Sequence, residues 1–401
     1  MKMIKGGITA VPGFFASGIY CGIKKIKVPD LALIFSKDPC TAAGLFTTNR
    51  VTAAPVRLTR EHIRSGRLQA IVANSGNANA ATGPIGERAA REMAELTARK
   101  LGIATGMVAV ASTGVIGEPP PMKALRAGIP KSATHLSPNG SRMAARAIMT
   151  TDKKIKEVAV RLKIGGRTVT LGGIAKGSGM IHPNMATMLA FLTTDIRIKP
   201  ALLRKMLTSA VNRSFNMITV DGETSTNDMV LCLANGRAGN TELAESEKDR
   251  SRFQAALDSV CTKLAKRIVQ DGEGATKFVE IRVRGAINDA GAKAVALRVA
   301  GSNLVKTAFF GADANWGRIM AAIGAAGVNV NPDRISLAFD HVPLVKNGVG
   351  LGKTADRRAT RILKKRSFCL TIDLHAGTGT ATAWTCDLTY DYIKINAAYR
   401  S

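Results

Sequence analysis

Two kinds of hydrophobic pattern alternate along the chain. Short, mainly apolar runs such as LQAIVA at 68–73 and MVAVA at 107–111 are typical of strands buried on both faces. In other segments apolar residues recur every three to four positions, as in GERAAREMAELTARKLG at 86–102, which predicts an amphipathic helix closed by Gly102. The alternation of the two patterns predicts a mixed α/β fold.

The same patterns predict further elements. Residues 30–60 alternate apolar runs with turn signals and predict strands, and Gly165-Gly166 predicts a hairpin turn. The spacing at 251–270 predicts a long amphipathic helix. From about Ala286 the pattern predicts alternating helices and strands, with LVKTAFFG at 304–311 as a strand, and therefore a separate small α/β lobe.

Composition and charge limit the classes of protein. The 401 residues are 46% hydrophobic, enough for a large buried core, and 57 Lys and Arg against 29 Asp and Glu give a net charge of +28. Such a charge is compatible with a nucleic-acid-binding protein. However, the basic residues are spread along the chain without a basic tail or interleaved aromatic residues, which favours solvated basic faces. Weak attraction of anionic metabolites is a further alternative.

Cysteine spacing and hydropathy indicate a cytoplasmic protein. The six cysteines form no CxxC pair and no zinc-binding pattern with histidine, so we expect reduced thiols and no metal site. The basic N-terminal segment is interrupted by Pro12 and is not followed by a signal-cleavage pattern. No run approaches the length of about 18 apolar residues that a membrane span requires.

A hydroxyl at an unusual position suggests the chemistry. In KGSGMIHPNMATMLAFLTTD (176–195), Thr187 follows a glycine-broken polar run and the small residue Ala186. Threonine is a poor nucleophile, but its own α-amine, with a pKa of about 7.7 to 8.0, acts as its base if the preceding peptide bond is cut. Gly177 and Gly179 would let the backbone bend there. On these residues alone, an ordinary structural threonine is the favoured interpretation, and the nucleophile is the alternative.

Eight motifs in this order resemble those of the ornithine acetyltransferase (glutamate N-acetyltransferase) family of arginine biosynthesis. They are NSGNANAATG (74–83), STGVIGEP (112–119), MTTD (149–152), KGSGMIHPNMATML (176–189), VDGETSTND (220–228), GEGATK (272–277), NWGRI (315–319) and INAAYRS (395–401). The resemblance implies self-cleavage between Ala186 and Thr187. It also implies a layered α-β-β-α sandwich of the self-processing type with a smaller C-terminal α/β lobe.

The resemblance further implies a division of the chain. Residues 1–186 would form the α chain and 187–401 the β chain after cleavage. Residues 187–285 would complete the main sandwich, and 286–401 would form the smaller lobe with a C-terminal tail that returns to the active site. The family's habit implies an α2β2 heterotetramer.

Site residues follow from the same motifs. Thr187 would be the nucleophile and, through its freed amine, the base, and Thr113 and Gly114 would form the oxyanion hole. The substrate-binding residues would be Thr150, Lys176, Thr187, Glu273, Asn396 and Ser401. Thr151 is an alternative to Thr150, and His182, near the cleavage site, is interpreted as structural. Asp221, Asp228 and Asp313 are interpreted as turn and capping residues.

The implied reaction is acetyl transfer from N2-acetylornithine to glutamate through an acetyl-Thr187 intermediate. It needs no bound cofactor and no metal, and acetyl-CoA would serve only as a substrate for a second activity. The expected partners are these small molecules and the cleaved chains, with no nucleic acid and no membrane. The alternatives are a related self-cleaving aminopeptidase, which would pass its acyl group to water, and a basic nucleic-acid-binding protein.

Overall fold

A computed structural model describes residues 1–182, 188–243 and 246–398. The strands are β1 (Lys2–Ile4), β2 (Phe14–Ile19), β3 (Leu31–Phe46), β4 (Arg67–Asn77), β5 (Val108–Val115), β6 (Lys156–Ile164), β7 (Arg167–Lys176), β8 (Leu189–Thr194), β9 (Met229–Ala234), β10 (Phe278–Ala286), β11 (Ser336–Phe339), β12 (Val342–Lys346), β13 (Val349–Gly350), β14 (Ser367–Asp373) and β15 (Gly379–Cys386). The α-helices are α1 (Ala54–His62), α2 (Gly83–Leu101), α3 (Met122–Thr134), α4 (Ser141–Ala147), α5 (Pro200–Asn212), α6 (Glu247–Gln270), α7 (Asp289–Ala300), α8 (Asn303–Phe310), α9 (Trp316–Gly324), α10 (Lys353–Leu363) and α11 (Tyr390–Ala398).

The larger sheet has the strand order β1-β6-β7-β8-β9-β3-β4-β5, with β2 paired to β3. The β4–β5 and β8–β9 pairs are parallel, and the other pairs in this sheet are antiparallel. The long strand β3 connects the two halves, because its first part pairs with β4 and its last part with β9, with an irregularity between Phe35 and Cys40.

Side chains on the two faces of this sheet pack into different buried clusters, which separate the layers of a sandwich. In β4 and β5, Ile71 and Ala109 belong to the same buried cluster as Leu189 and Phe191 of β8, so the two halves of the sheet share a core. Val72, on the opposite face of β4, packs in the cluster that includes side chains of α2 and α3. Helices α5 and α6 cover the opposite face of the β6–β9 half. The predicted α-β-β-α sandwich is confirmed.

The smaller sheet has the order β13-β12-β11-β14-β10-β15. Its strands β11 to β15 lie in the segment predicted as a C-terminal α/β lobe. Its first strand, β10, begins at Phe278, directly after the GEGATK motif. Its apolar side chains belong to the same continuous core as α5 and α6. The division at residue 286 stays a prediction.

Several predicted elements are confirmed, and two predictions are wrong. The buried strands β4 and β5, the helices α2 and α6 and the Gly165-Gly166 turn are present, with both glycines at positive φ. The end of the segment predicted as strands is instead helix α1, which has proline in its first turn. The LVKTAFFG segment forms helix α8, because Ser302 caps its N-terminus by accepting a hydrogen bond from the Val305 amide. Within the described ranges, no helix could cross a membrane.

Candidate active site

A cleft lined by residues of seven of the eight motifs lies where the two halves of the sandwich meet the C-terminal helix. It encloses about 560 Å³, including solvent-open space at its mouth. Its lining residues are Ala78, Thr113, Gly114, Ile116, Thr150, Thr151, Lys176, Gly179, Met180, Ser225, Thr226, Asn227, Glu273 and Asn396. Six of the nine residues predicted for the site therefore share one cleft.

Thr113 and Gly114 lie near the carboxyl end of β5, beside the end of its parallel neighbour β4. Gly114 has φ +134°, and a Cβ there would lie 2.4 Å from the carbonyl carbon of Gly76. Only glycine fits this bend of the strand. Strand β5 continues past these residues to Val115 with an irregular register. The close approach of the two strands exposes Thr113 and Gly114 at the cleft.

Lys176 enters the cleft from the other half of the sandwich, at the end of β7. Its side chain is buried, and Nζ donates a hydrogen bond to Thr113 Oγ1 at 3.3 Å. Burial lowers the pKa of Lys176, against the negative charge of Asp152, which favours the ammonium. The Thr113 hydroxyl is thus hydrogen-bonded to the cationic side chain of Lys176.

A buried ionic cluster that sequence reasoning missed supports this lysine. Lys156 Nζ contacts Asp152 Oδ1 and Asp271 Oδ2, both at 2.6 Å, and all three side chains are at most 4% exposed. Asp152 Oδ1 also accepts a hydrogen bond from the Gly177 amide at 2.9 Å. Burial disfavours the charged form, but the positive charges of Lys156 and Lys176 outweigh it and lower the pKa of Asp152. Asp152 is the last residue of the MTTD motif, and Asp271 directly precedes GEGATK. These motif positions were the sequence signal that could have pointed to the cluster.

Glu273 and Asn396 also line the cleft and contact each other. Asn396 Nδ2, on helix α11, donates to Glu273 Oε2 at 2.8 Å. The Glu273 amide donates to the Ser178 carbonyl at 2.9 Å. The carboxylate lies against Gly179, where a Cβ would be 2.3 Å from Oε2. The C-terminal helix therefore returns to the cleft, which the family resemblance implied.

Thr150 and Thr151 both line the cleft, and both alternatives for the binding threonine remain. The Thr150 amide donates to Asp152 Oδ2 at 3.1 Å, which ties this segment to the ionic cluster. The loop at 225–227 also lines the cleft, and sequence reasoning predicted no site residue there. There Asn227 Nδ2 donates to the carbonyls of Ala78 (2.6 Å) and Ser112 (2.8 Å) and so joins the loop to the ends of β4 and β5.

Ala186, Thr187 and Ser401 lie outside the described residues. Their described neighbours are close to the cleft: Leu189 is the cross-strand partner of Lys176, and the Met188 amide donates to Asp228 Oδ1 at 2.7 Å. On the other side of the gap, Met180 has φ +58° and lines the cleft.

His182 and Asp221 lie beside the cleft. The half-buried His182 ring has Nδ1 3.5 Å from Thr219 Oγ1, and burial lowers its pKa. Asp221 accepts hydrogen bonds from the amides of Met180 (2.6 Å) and Ile181 (2.8 Å), as a turn-stabilising residue does. Over the described residues, no group of His, Cys, Asp and Glu could hold a metal ion.

A basic groove adjoins the cleft and shares Thr150 with it. Its cations are Lys24, Arg142, Arg146, Lys153 and Lys154. Among described residues, no carboxylate forms an ion pair with the last three. Burial lowers the pKa of Lys24 to about 8, and the charges of Lys176 and Arg146 add to this effect. This groove, which we call the basic groove, is suited to attract anionic small molecules.

Comparison with known proteins gives concordant matches. The model of the ArgJ family matches residues 15–401. The Arginine biosynthesis bifunctional protein ArgJ of Symbiobacterium thermophilum is 54% identical over the whole of both chains, and that of Geobacter sulfurreducens is 51% identical, over 98% of this chain and 100% of the relative. A crystal structure of the protein of this name from Bacillus halodurans has 47% identity and a TM-score of 0.50 and covers 52% of this chain and 97% of that chain.

Proposed function

The chain belongs to the ArgJ family, and we propose that it transfers the acetyl group of N2-acetylornithine to glutamate through an acetyl ester of Thr187. It is an acyltransferase of arginine biosynthesis. The proposed specific reaction rests on one observation: Thr113, Gly114, Lys176, Glu273 and Asn396, from four separate parts of the chain, line the same cleft.

The first step is cleavage of the bond between Ala186 and Thr187. The freed α-amine then accepts the proton of the Thr187 hydroxyl, which attacks the acetyl carbonyl of N2-acetylornithine. Ornithine leaves, and the amine of glutamate attacks the acetyl ester in turn. One amide is exchanged for another, so no energy source is required.

The oxyanion formed in each attack would be stabilised by the Thr113 hydroxyl and the Gly114 amide. Thr113 Oγ1 accepts its hydrogen bond from Lys176, so its own proton remains available for the oxyanion. The nearby ammonium makes that proton a stronger donor. Each such donor typically contributes about 2.7 to 4 kcal/mol to transition-state stabilisation.

Substrate binding would use the two sides of the cleft. Both substrates carry an α-carboxylate, and Lys176 with Thr150 or Thr151 supplies fixed donors for it. Glu273, oriented by Asn396 at 2.8 Å, supplies a carboxylate for the amine end of ornithine. The basic groove would raise the local concentration of anionic substrates. No cofactor is needed in this scheme.

The lengths of known chains support self-cleavage. The solved Bacillus halodurans chain is covered to 97% by only 52% of this chain, so that chain is about half as long, as expected after division into two. Cleaved chains of 1–186 and 187–401 would stay together, because β8 and β9 pair with β7 and β3 across the division. We propose an α2β2 heterotetramer in the cytoplasm.

The same cleavage defines the proposed domains. Residues 187–285 would complete the main sandwich, and 286–401 would form the smaller lobe and the returning tail. The relatives are named bifunctional, and we propose that acetyl-CoA is a second acetyl donor to the same threonine.

Mass spectrometry of the purified protein and an acetyl-transfer assay test this function. We expect two fragments that divide at Ala186–Thr187, and acetyl transfer from N2-acetylornithine to glutamate. Thr187→Ala should give one intact chain of about 42 kDa without transfer activity. An active, intact wild-type chain would contradict the proposal. Hydrolysis of peptides without acetyl transfer would identify the aminopeptidase alternative, and steeply salt-dependent DNA binding without transfer would identify the nucleic-acid alternative.

A further inference from the structure

Asp228 has a buried carboxylate oxygen without a hydrogen-bond partner among the described residues. The residue is 1% exposed and directly precedes β9. Its Oδ1 accepts the hydrogen bond from the Met188 amide at 2.7 Å, whereas Oδ2 has no hydrogen-bond partner among the residues the structure describes. A buried, unsatisfied carboxylate oxygen costs free energy, so its retention calls for an explanation.

The backbone holds Asp228 firmly beside the start of β8. Its carbonyl accepts a hydrogen bond from the Thr47 amide at 3.0 Å, and the Met229 amide donates to the Met188 carbonyl at 3.2 Å. The Met188 nitrogen is four covalent bonds from the Thr187 hydroxyl oxygen. Covalent connectivity therefore makes Asp228, which accepts a hydrogen bond from that nitrogen, a candidate to act on the Thr187 hydroxyl.

Self-cleavage needs a base that acetyl transfer does not need. In the finished enzyme the free α-amine of Thr187 serves as the base, but before cleavage that nitrogen belongs to a peptide bond and cannot accept a proton. Some other group must therefore remove the hydroxyl proton in the uncut chain.

We propose that Asp228 is this base, an inference that rests on the proposed self-cleavage before Thr187. Oδ2 accepts the Thr187 hydroxyl proton while the hydroxyl oxygen bonds to the Ala186 carbonyl carbon. The bond between that carbon and the Thr187 nitrogen then breaks, and Asp228 returns the proton to the nitrogen, which becomes the free amine. Water hydrolyses the resulting ester, leaving a carboxylate on Ala186 and the restored hydroxyl on Thr187.

The electrostatic surroundings suit this role. Burial raises the pKa of Asp228 well above its usual range, while the Met188 amide, the Lys176 ammonium and the Ser225 hydroxyl favour the carboxylate. A base is most efficient when its pKa approaches the ambient pH. Lys176 is the charged group that acts on Asp228. The charges of Asp152 and Glu273 raise the pKa of Lys176, and the charge of Lys156 lowers it.

The substitution Asp228→Asn tests the proposal in the full chain, because asparagine keeps an acceptor for the Met188 amide but cannot take up the proton. The cleaved fraction would be followed over time by denaturing electrophoresis and mass spectrometry after cell-free synthesis. We expect cleavage to slow by about 10² to 10⁴-fold, and Asp228→Glu to restore part of the rate. Transfer activity per cleaved chain should fall much less than the cleavage rate.

Asp195→Asn is the matched control. Asp195 is also buried, accepts a hydrogen bond from a backbone amide (Thr170, 2.7 Å), and has a pKa raised by burial, but it lies beyond the far end of β8. It should leave the cleavage rate unchanged. Cleavage of Asp228→Asn at the wild-type rate would overturn the proposal, as would an equal loss in Asp195→Asn.

The pH dependence of wild-type cleavage gives a second test, which does not depend on whether a variant folds. The base acts as the carboxylate, so cleavage should slow as the pH falls through a value above the ordinary aspartate range. A rate unchanged down to about pH 4 would overturn the inference. If Thr187→Ala also cleaves, the proposed function itself fails. If Thr187→Ala is intact and Asp228→Asn cleaves normally, only the assignment of Asp228 fails.

Discussion

The ammonium of Lys176 donates a hydrogen bond to the hydroxyl of Thr113 at 3.3 Å, across 63 positions of sequence. The two residues lie near the ends of β7 and β5, which belong to opposite halves of the sandwich. The contact joins the proposed oxyanion donor to the proposed carboxylate-binding group. A change at either residue should therefore affect both binding and the chemical step.

Replacing this lysine should reduce turnover. We expect Lys176→Met to lower kcat for acetyl transfer by about 10² to 10³-fold, because the Thr113 hydroxyl loses the cation behind it, and to raise KM. Steady-state kinetics with N2-acetylornithine and glutamate would measure both effects. The exposed Lys163→Met is the control. A rise in KM with unchanged kcat would show that Lys176 binds substrate without supporting the proposed oxyanion donor.

The pairing of Glu273 with Asn396 predicts energetic coupling. We expect Asn396→Ala to raise KM by about tenfold, since the Glu273 carboxylate loses the amide that orients it, and the double variant with Glu273→Gln to be non-additive by about 0.5 to 3 kcal/mol. A double-mutant cycle on kcat/KM measures this coupling. Lys394→Ala, exposed on the same helix, should have no effect. Additive effects would contradict a functional pair.

Removing the central cation of the buried ionic cluster should destabilise the fold. Lys156→Met leaves Asp152 and Asp271 buried without their shared partner at 2.6 Å, and we expect a loss of about 3 to 5 kcal/mol in the free energy of unfolding. Denaturant unfolding would measure it. The exposed Lys154→Met should remain near the wild-type value. Equal stability of the two variants would contradict a stabilising role for the cluster.

Acid should weaken the same cluster. The pKa of Asp152 is lower in the folded than in the unfolded chain, so its contribution is complete above the unfolded value of about 3.9 and is lost as the pH falls through the lower, folded value. We expect the acid decrease in unfolding free energy to be smaller in Asp152→Asn than in the wild type. Denaturant unfolding between pH 6 and about pH 3 measures the difference, and parallel curves would contradict it.

The bend at Gly114 predicts a steric requirement. Gly114→Ala places a methyl group 2.4 Å from the Gly76 carbonyl carbon at φ +134°, so we expect displacement of the oxyanion donors and loss of transfer by at least about 10²-fold. Gly117→Ala is matched, because Gly117 also has positive φ but open space around it. It should cost only about 1 to 2 kcal/mol of stability. Equal activity of the two variants would contradict the steric argument.

The success of the element predictions depended on how local their signals were. The helices α2 and α6 and the strands β4 and β5 carry their own periodicity and were predicted from it. Helix α8 was predicted as a strand because its short apolar run fits both structures, and only its cap at Ser302 and its packing decide between them.

The predictions for the candidate site likewise succeeded only where the signal was local in the sequence. The motif resemblance predicted Thr113, Lys176, Glu273 and Asn396 one by one as site residues. It did not predict the Lys156 cluster, the Asn227 bridge or the Asp228 oxygen that has no partner among the described residues. Those features are relationships between distant residues. A lysine or aspartate has the same letter in the sequence whether it is solvated or buried.

The sequence by itself determined most of the alternation of helices and strands, which depends on local spacing, and its motifs carried the family resemblance that implied the layered fold. Only the tertiary structure decided which charges are buried together and which polar atoms lack a partner. The physical reason is that the free energy of a charge depends on its distance to other charges and on its exposure to water. Both are fixed only when β5, β7 and the C-terminal helix meet at one cleft.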